Sequence, residues 1–236
     1  MKKYLRTQNY KSIFFYTKTN GIMQYQQYII ATGGVGVGKS TLINKLTKYL
    51  PKDETIYIEE YVDYNPNEAK KQLEETLKGT GSVYQFQLSI LDCYREQIEK
   101  AKNKKFIIME RSPADSINIF AKASYLKGKM SDEEYNDLLK KVDELNKKYN
   151  IPQLTEYNFR RIDSCIYSVE EVFSIARKDI DDCLEKQQSC LFLLYCSDPF
   201  VQKNNIEKRG RAEEKDYDIN YMISVNNEYT SLFASF

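Results

Sequence analysis

The sequence predicts an α/β fold, with a mostly parallel β-sheet flanked by helices in a three-layer α/β/α arrangement. Three observations lead there. Short apolar runs of strand length alternate with longer segments that carry helical spacing or helix caps. Each of the first three runs ends in a glycine or polar cluster, at the edge where open α/β sheets bind ligands. The 236 residues, 42% of them hydrophobic, show no internal repeat and no Pro- or Ser-rich linker, which suits one domain with a full core.

The elements follow in order. Tyr28 to Ala31 reads as the first strand, and Thr41 to Leu50 as a helix that Pro51 ends. Thr55 to Ile58 is a second strand, closing on Glu59 and Glu60. Residues 67–78 read as a helix stopped by Gly79-Thr80-Gly81. From Ser82 to Lys102 a long helix is expected, because Val83, Phe86, Ile90, Tyr94 and Ile98 recur at helical spacing. Phe106 to Met109 is the third strand, ending at Glu110-Arg111-Ser112. Ser131 with Glu134 three residues on forms a capping box, opening a helix that runs to about Tyr149. Residues 153–167 carry no clear pattern, and a polar helix follows from Ser168 to Gln187. Leu191 to Tyr195 is the fourth strand, Lys203 to Lys215 is densely charged, and a last amphipathic helix spans Ile219 to Phe233.

The most specific signal lies between the first strand and the first helix. Gly33, Gly34, Val35, Gly36, Val37, Gly38, Lys39, Ser40 and Thr41 fit the pattern Gly-x-x-x-x-Gly-Lys-[Ser/Thr] without a mismatch. Glycines let the backbone curl so that successive N–H groups point inward at a polyphosphate. The lysine then reaches the β- and γ-phosphates, the Ser40 hydroxyl is placed to ligate Mg²⁺, and the helix N-terminus adds partial positive charge. ATP or GTP is the expected ligand.

Composition removes several alternatives. There is no histidine, so His-based acid/base catalysis, a Ser-His-Asp triad and a His-ligated zinc site are excluded. The 35 Lys and Arg residues nearly cancel 34 Asp and Glu, which gives no case for nucleic-acid or membrane binding. The longest apolar run, Cys190 to Cys196, is too short to span a bilayer. Five scattered cysteines without a C-x-x-C pair suit reduced thiols in a reducing compartment, so a cytoplasmic protein is expected. Residues 1–22 carry five basic residues and no acid. They read as an N-terminal extension, disordered or targeting, with import into mitochondria as the alternative location. The domain itself is expected over 23–236, with Met23 as an alternative start.

Three further constellations carry chemistry. Glu60, at the end of the second strand, is placed to act as the base beside an acceptor hydroxyl. Glu110, at the end of the third strand, is placed to hold Mg²⁺ together with Ser40, and Arg111 beside it can clamp a phosphoryl group. Arg209 and Arg211, flanking Gly210, are suited to a mobile lid that stabilises charge on the transferring group.

Taken together, phosphate loop, strand-end Glu, Glu-Arg-Ser and Arg-Gly-Arg-x-Glu-Glu, in that order, resemble the deoxynucleoside kinases over roughly residues 26–233. The resemblance implies a P-loop kinase fold with an Arg-rich lid, ATP and Mg²⁺ as cofactors, a deoxynucleoside as substrate and a homodimer. Glu60 resembles the base for the sugar 5′-hydroxyl. Gln87 resembles the glutamine that reads the nucleobase edge, with Gln85 as rival. Glu110 resembles the Mg²⁺-linked acid, and Arg111 the arginine near the 5′-oxygen. Asp115 resembles an acid that helps read the base, displaced by one position. Arg209 and Arg211 resemble the lid arginines, and Glu214 the acid on the sugar 3′-hydroxyl. The departures are Tyr61 for a proline, Asn205 for a further lid-side arginine, no tyrosine near Thr76, an unmatched segment at 153–188, and no final strand after the last helix. The competing readings are a nucleoside monophosphate kinase of thymidylate type and a nucleotide-binding subunit with degraded catalysis.

Overall fold

The computed structural model describes residues 25–210 and 219–234. The extension expected at 1–22 and the candidate residues Arg211 and Glu214 lie outside the described residues. Five parallel strands form one sheet in the order β2-β3-β1-β5-β4, with β1 Gln27–Thr32, β2 Thr55–Ile58, β3 Phe106–Glu110, β4 Asn158–Asp163 and β5 Cys190–Tyr195. The chain order reverses about β1, so the crevice at its carboxyl end is the place for a ligand.

Side-chain alternation along β1 builds the two faces. Tyr28 and Ile30 point into one core with Tyr94 and Ile98 of α4 (Val83–Lys100), Leu145 of α7 (Asp132–Tyr149) and Val225 of α10 (Ile219–Leu232). Ile29 and Ala31 point into the other, with Leu42 and Leu46 of α1 (Lys39–Tyr49) and Val172, Ala176 and Ile180 of α8 (Val169–Lys186). This is the predicted three-layer α/β/α sandwich. Each fully buried Ile or Leu contributes about 1.5–3 kcal/mol through removal from water. Long helices start where the sequence caps them: Ser82, Ser131 and Ser168 each accept from the N–H three residues on.

Three differences from the sequence reading matter. The segment without a pattern holds β4, which pairs with β5 from Asn158↔Cys190 to Asp163↔Tyr195. The sheet edge is therefore closed by a strand that precedes β5 in the chain, in the segment the resemblance could not match. Secondly, residues 113–126 are helical throughout, as α5 (Pro113–Asp115), a π-helical turn (Ser116–Ala121) and α6 (Lys122–Leu126). Thirdly, the front half of the charged segment is a regular helix, α9 (Pro199–Arg209), capped by Asp198 on the N–H groups of Phe200 and Val201.

Candidate active site

The phosphate loop sits between β1 and the first turn of α1, with Gly33, Gly36 and Gly38 at φ 134°, 77° and 92°. Gly33 is required twice over. Its φ lies in glycine territory, and a Cβ there would stand 1.9 Å from the Leu194 carbonyl oxygen. The Lys39 ammonium donates to the Gly34 carbonyl at 2.7 Å and lies 3.4 Å from Glu110 Oε1. Ser40 Oγ donates to Glu110 Oε2 at 2.8 Å. Hydroxyl, carboxylate and ammonium are thus gathered at the mouth of the loop. The hydroxyl and carboxylate are hard oxygen donors of the kind Mg²⁺ takes when phosphates and water complete its shell. Among the described residues no group of three or more acidic, His or Cys side chains forms a self-sufficient metal cage.

The loop is braced by residues to which the sequence reading gave no such role. Gln202 Nε2 of α9 donates to the Val35 carbonyl at 2.5 Å, and Asn226 Nδ2 of α10 donates to Gln202 Oε1 at 2.8 Å. Asn205, where the resemblance implies an arginine, donates to the Gly36 carbonyl at 3.2 Å. No local pattern marks such braces, because only the packing of α9 and α10 brings them to the loop.

Glu60 and Arg111 meet across the crevice. Glu60 immediately precedes the short helix α2 (Tyr61–Tyr64), and its carboxylate is ion-paired with Arg111; the two side chains are 16% and 13% exposed. Glu59 is exposed on the other side of the chain, its backbone held by the Gln97 amide at 2.9 Å in both directions. Arg111 takes the left-handed conformation, φ 62°, with its N–H on the Ala31 carbonyl at 3.0 Å and its guanidinium 5.1 Å from the Phe120 ring centroid. A non-glycine residue held there is strained by about 1–3 kcal/mol, the kind of cost that functional sites carry.

Glu60 and Arg111 line a pocket together with Lys39, Glu110, Gln87 and Arg209. Gln87 is 3% exposed, and its Oε1 has no hydrogen-bond partner among the described residues. Gln85, its rival, is exposed on the far side of α4. The Thr76 hydroxyl, at the end of α3 (Pro66–Leu77), is buried against the same pocket and is likewise unpaired. Asp115 is not among the lining residues; Ser116 is. The Asp115 carboxylate instead closes a capping box, accepting from Ser112 N at 2.6 Å and Ser112 Oγ at 3.0 Å. The one-residue displacement in sequence thus turns Asp115 behind the wall and Ser116 into the pocket. The Ser112-x-x-Asp115 spacing is itself the sequence signal for that cap.

Charges in the crevice are mutually adjusted. Burial pushes the Glu60 carboxyl up, against the downward pull of Arg111. Burial also works on Glu110, but Lys39, Arg111 and the Ser40 hydrogen bond outweigh it and hold that carboxyl below its usual value. Burial and the nearby Arg111 bring Lys39 down to about 8. Two carboxylates whose environments push them apart are suited to different tasks, one to proton transfer and one to permanent negative charge.

Fold and site together define a nucleotide-dependent phosphotransferase of the phosphate-loop class. The family model for deoxynucleoside kinase matches residues 29–182, and the chain belongs to the deoxynucleoside kinase family as an enzyme of that class. Similar solved structures include deoxyadenosine kinase from M. mycoides with bound dATP, at 21% identity and TM-score 0.57, covering 89% of this chain and 85% of that one. The same enzyme with products dCMP and a flexible dCDP bound gives 24% identity and TM-score 0.57, over 88% and 84%. With bound dCTP it gives 19% identity and TM-score 0.55, over 88% and 84%. No curated protein matches the chain. Among the described residues no helix is long and apolar enough to cross a membrane.

Proposed function

We propose that this protein transfers the γ-phosphoryl group of ATP to the 5′-hydroxyl of a deoxynucleoside, with Mg²⁺. The observation that carries the reading is Glu60. It is a largely buried carboxylate with a raised pKa, paired with Arg111 in a pocket whose wall bears the unpaired Oε1 of Gln87. A hydroxyl acceptor needs a base at that point, whereas a phosphate acceptor needs cations. Gln87 supplies an amide for a nucleobase edge, and Thr76 a hydroxyl for the same ligand. Lys39 and the loop N–H groups hold the donor phosphates, and Ser40 with Glu110 hold the metal. Bound Mg²⁺ offsets charge on the phosphate oxygens. Arg111 moves its guanidinium from Glu60 toward the transferring group as Glu60 takes the hydroxyl proton. Arg209 lines the pocket from the end of α9; Arg211 would act with it on the transferring group, and Glu214 would contact the sugar 3′-hydroxyl. The family resemblance supports a homodimer.

The test is ATP-dependent phosphorylation of thymidine, deoxycytidine, deoxyadenosine, deoxyguanosine and thymidine monophosphate. Turnover of any free nucleoside supports the proposal and ranks the bases. Turnover of the monophosphate alone overturns it.

A further inference from the structure

Arg111 is held on three sides by groups already described: the Ala31 carbonyl, the Glu60 carboxylate and the Phe120 ring. The fourth side is formed by α10. The Tyr229 ring meets Phe120 edge-on at 6.5 Å between centroids, and its phenol neighbours Arg111, Thr32 and Asp115. Thr32, Asp115 and Tyr229 are 0%, 1% and 2% exposed. Among the described residues, Thr32 Oγ1, Arg111 Nε, Asp115 Oδ1 and Tyr229 OH are all buried and none closes a hydrogen bond of good geometry, although Tyr229 lies within bonding reach of Arg111 and Thr32, and Thr32 of Asp115. Each such atom costs about 1–3 kcal/mol while it stays unpaired, so four at one spot need a reason.

Their chemistry supplies one. Arg111 Nε is a donor only, and the two hydroxyls are donors and acceptors. Asp115 Oδ1 accepts, because its partner oxygen Oδ2 already takes both Ser112 bonds. Donors and acceptors therefore match in a single order. Arg111 Nε–H donates to Tyr229, the Tyr229 O–H to Thr32, and the Thr32 O–H to Asp115. Burial pushes the Tyr229 hydroxyl up, so it keeps its proton.

We propose that Tyr229, with Thr32 and Asp115 behind it, is a positioning residue that anchors the Nε edge of Arg111 when the guanidinium exchanges Glu60 for the transferring phosphoryl group. Catalytic hydrogen bonds of this type are often open without substrate and tighten with it. The relay frees the outer nitrogens of Arg111 for phosphate while its charge stays tied to Asp115. This inference rests on the phosphoryl-transfer reading of the same site.

The test is Tyr229→Phe, which keeps the ring and removes the hydroxyl. The expected result is a fall in kcat of about tenfold or more with the KM values for ATP and nucleoside within about twofold. Thr32→Val does the same and is the substitute readout if Tyr229→Phe does not fold. The double variant loses no more than the worse single one, because both break one relay. A Tyr229→Phe kcat equal to wild type, or losses that multiply in the double variant, would overturn the proposal. Exchange of the Arg111 Nε–H with solvent, followed by NMR in the presence of a non-hydrolysable ATP analogue and nucleoside, reads the relay without turnover. Slow exchange in wild type and fast exchange in Tyr229→Phe is expected. Equal exchange refutes the relay even where nucleoside phosphorylation is established. Slow wild-type exchange in a protein that phosphorylates no nucleoside removes the functional reading and leaves the relay standing.

Discussion

Replacing Glu60 by Gln tests the chemistry with the least disturbance of shape. The amide keeps one acceptor oxygen for Arg111 and loses the charge and the capacity to take a proton. A positioned base contributes on the order of 10²–10⁴ to rate, which is about 3–5 kcal/mol of barrier. The structure assigns that loss to kcat. Lys39 is held by Gly34 and Glu110, and Ser40 by Glu110, so the phosphate loop keeps its contacts when Glu60 changes. ATP affinity should therefore stay within about threefold of wild type. Stability should fall by less than the 3–5 kcal/mol or so typical of a buried ion pair that loses one partner outright, because the amide still accepts from Arg111. Steady-state kinetics with labelled ATP, calorimetric ATP binding and a thermal melt give the three quantities. A kcat within about threefold of wild type, with ATP binding intact, refutes Glu60 as the base.

Three further outcomes are expected. Nucleotide phosphates beside Lys39 favour its charged form, and free Lys39 is held at about 8. Binding should therefore take up a proton above that pH and weaken as pH rises through it, as calorimetry in buffers of different ionisation enthalpy will report. Gln87→Leu should raise the nucleoside KM by about 10- to 100-fold and leave that of ATP unchanged. The free protein should not be destabilised in a melt, because the Gln87 oxygen is buried and unpaired. Gly33→Ala should lower the melting temperature by several degrees and abolish ATP binding, since its Cβ would meet the Leu194 carbonyl at 1.9 Å; overlap and backbone strain together cost about 2–6 kcal/mol.

The sequence made most of the sheet and part of the candidate site legible for one reason: strands buried on both faces are continuous apolar runs, and what ends them is glycine or polar. Ile107 and Ile108 are fully buried, so β3 is apolar until Glu110. The residues after β1, β2 and β3 then converge by topology alone, which brings Ser40, Glu60, Glu110 and Arg111 together. β4 was hidden because it is an edge strand. Arg160 and Arg161 are exposed on it, the first pairing with Asp179 at 2.7 and 2.8 Å and the second lying 5.5 Å from the Tyr195 ring centroid. Charged side chains protect such edges from pairing and also erase the strand signal. α9 leaves only a charge run in the sequence, because its buried residues, Gln202 and Ile206, are few and one is polar. Gln202 serves the phosphate loop rather than the core. Asp115 does not line the pocket because its carboxylate is drawn into the capping box with Ser112, leaving Ser116 to line the wall.

The most direct test of the central claim is where the phosphate lands. The protein is incubated with ATP, Mg²⁺ and the best nucleoside of the panel, and the product is examined by phosphorus NMR coupled to protons. The account predicts a phosphomonoester split by the two C5′ protons, and no product from the 5′-deoxy analogue. A phosphate on the 3′-oxygen, or a product formed equally well without a 5′-hydroxyl, would contradict it.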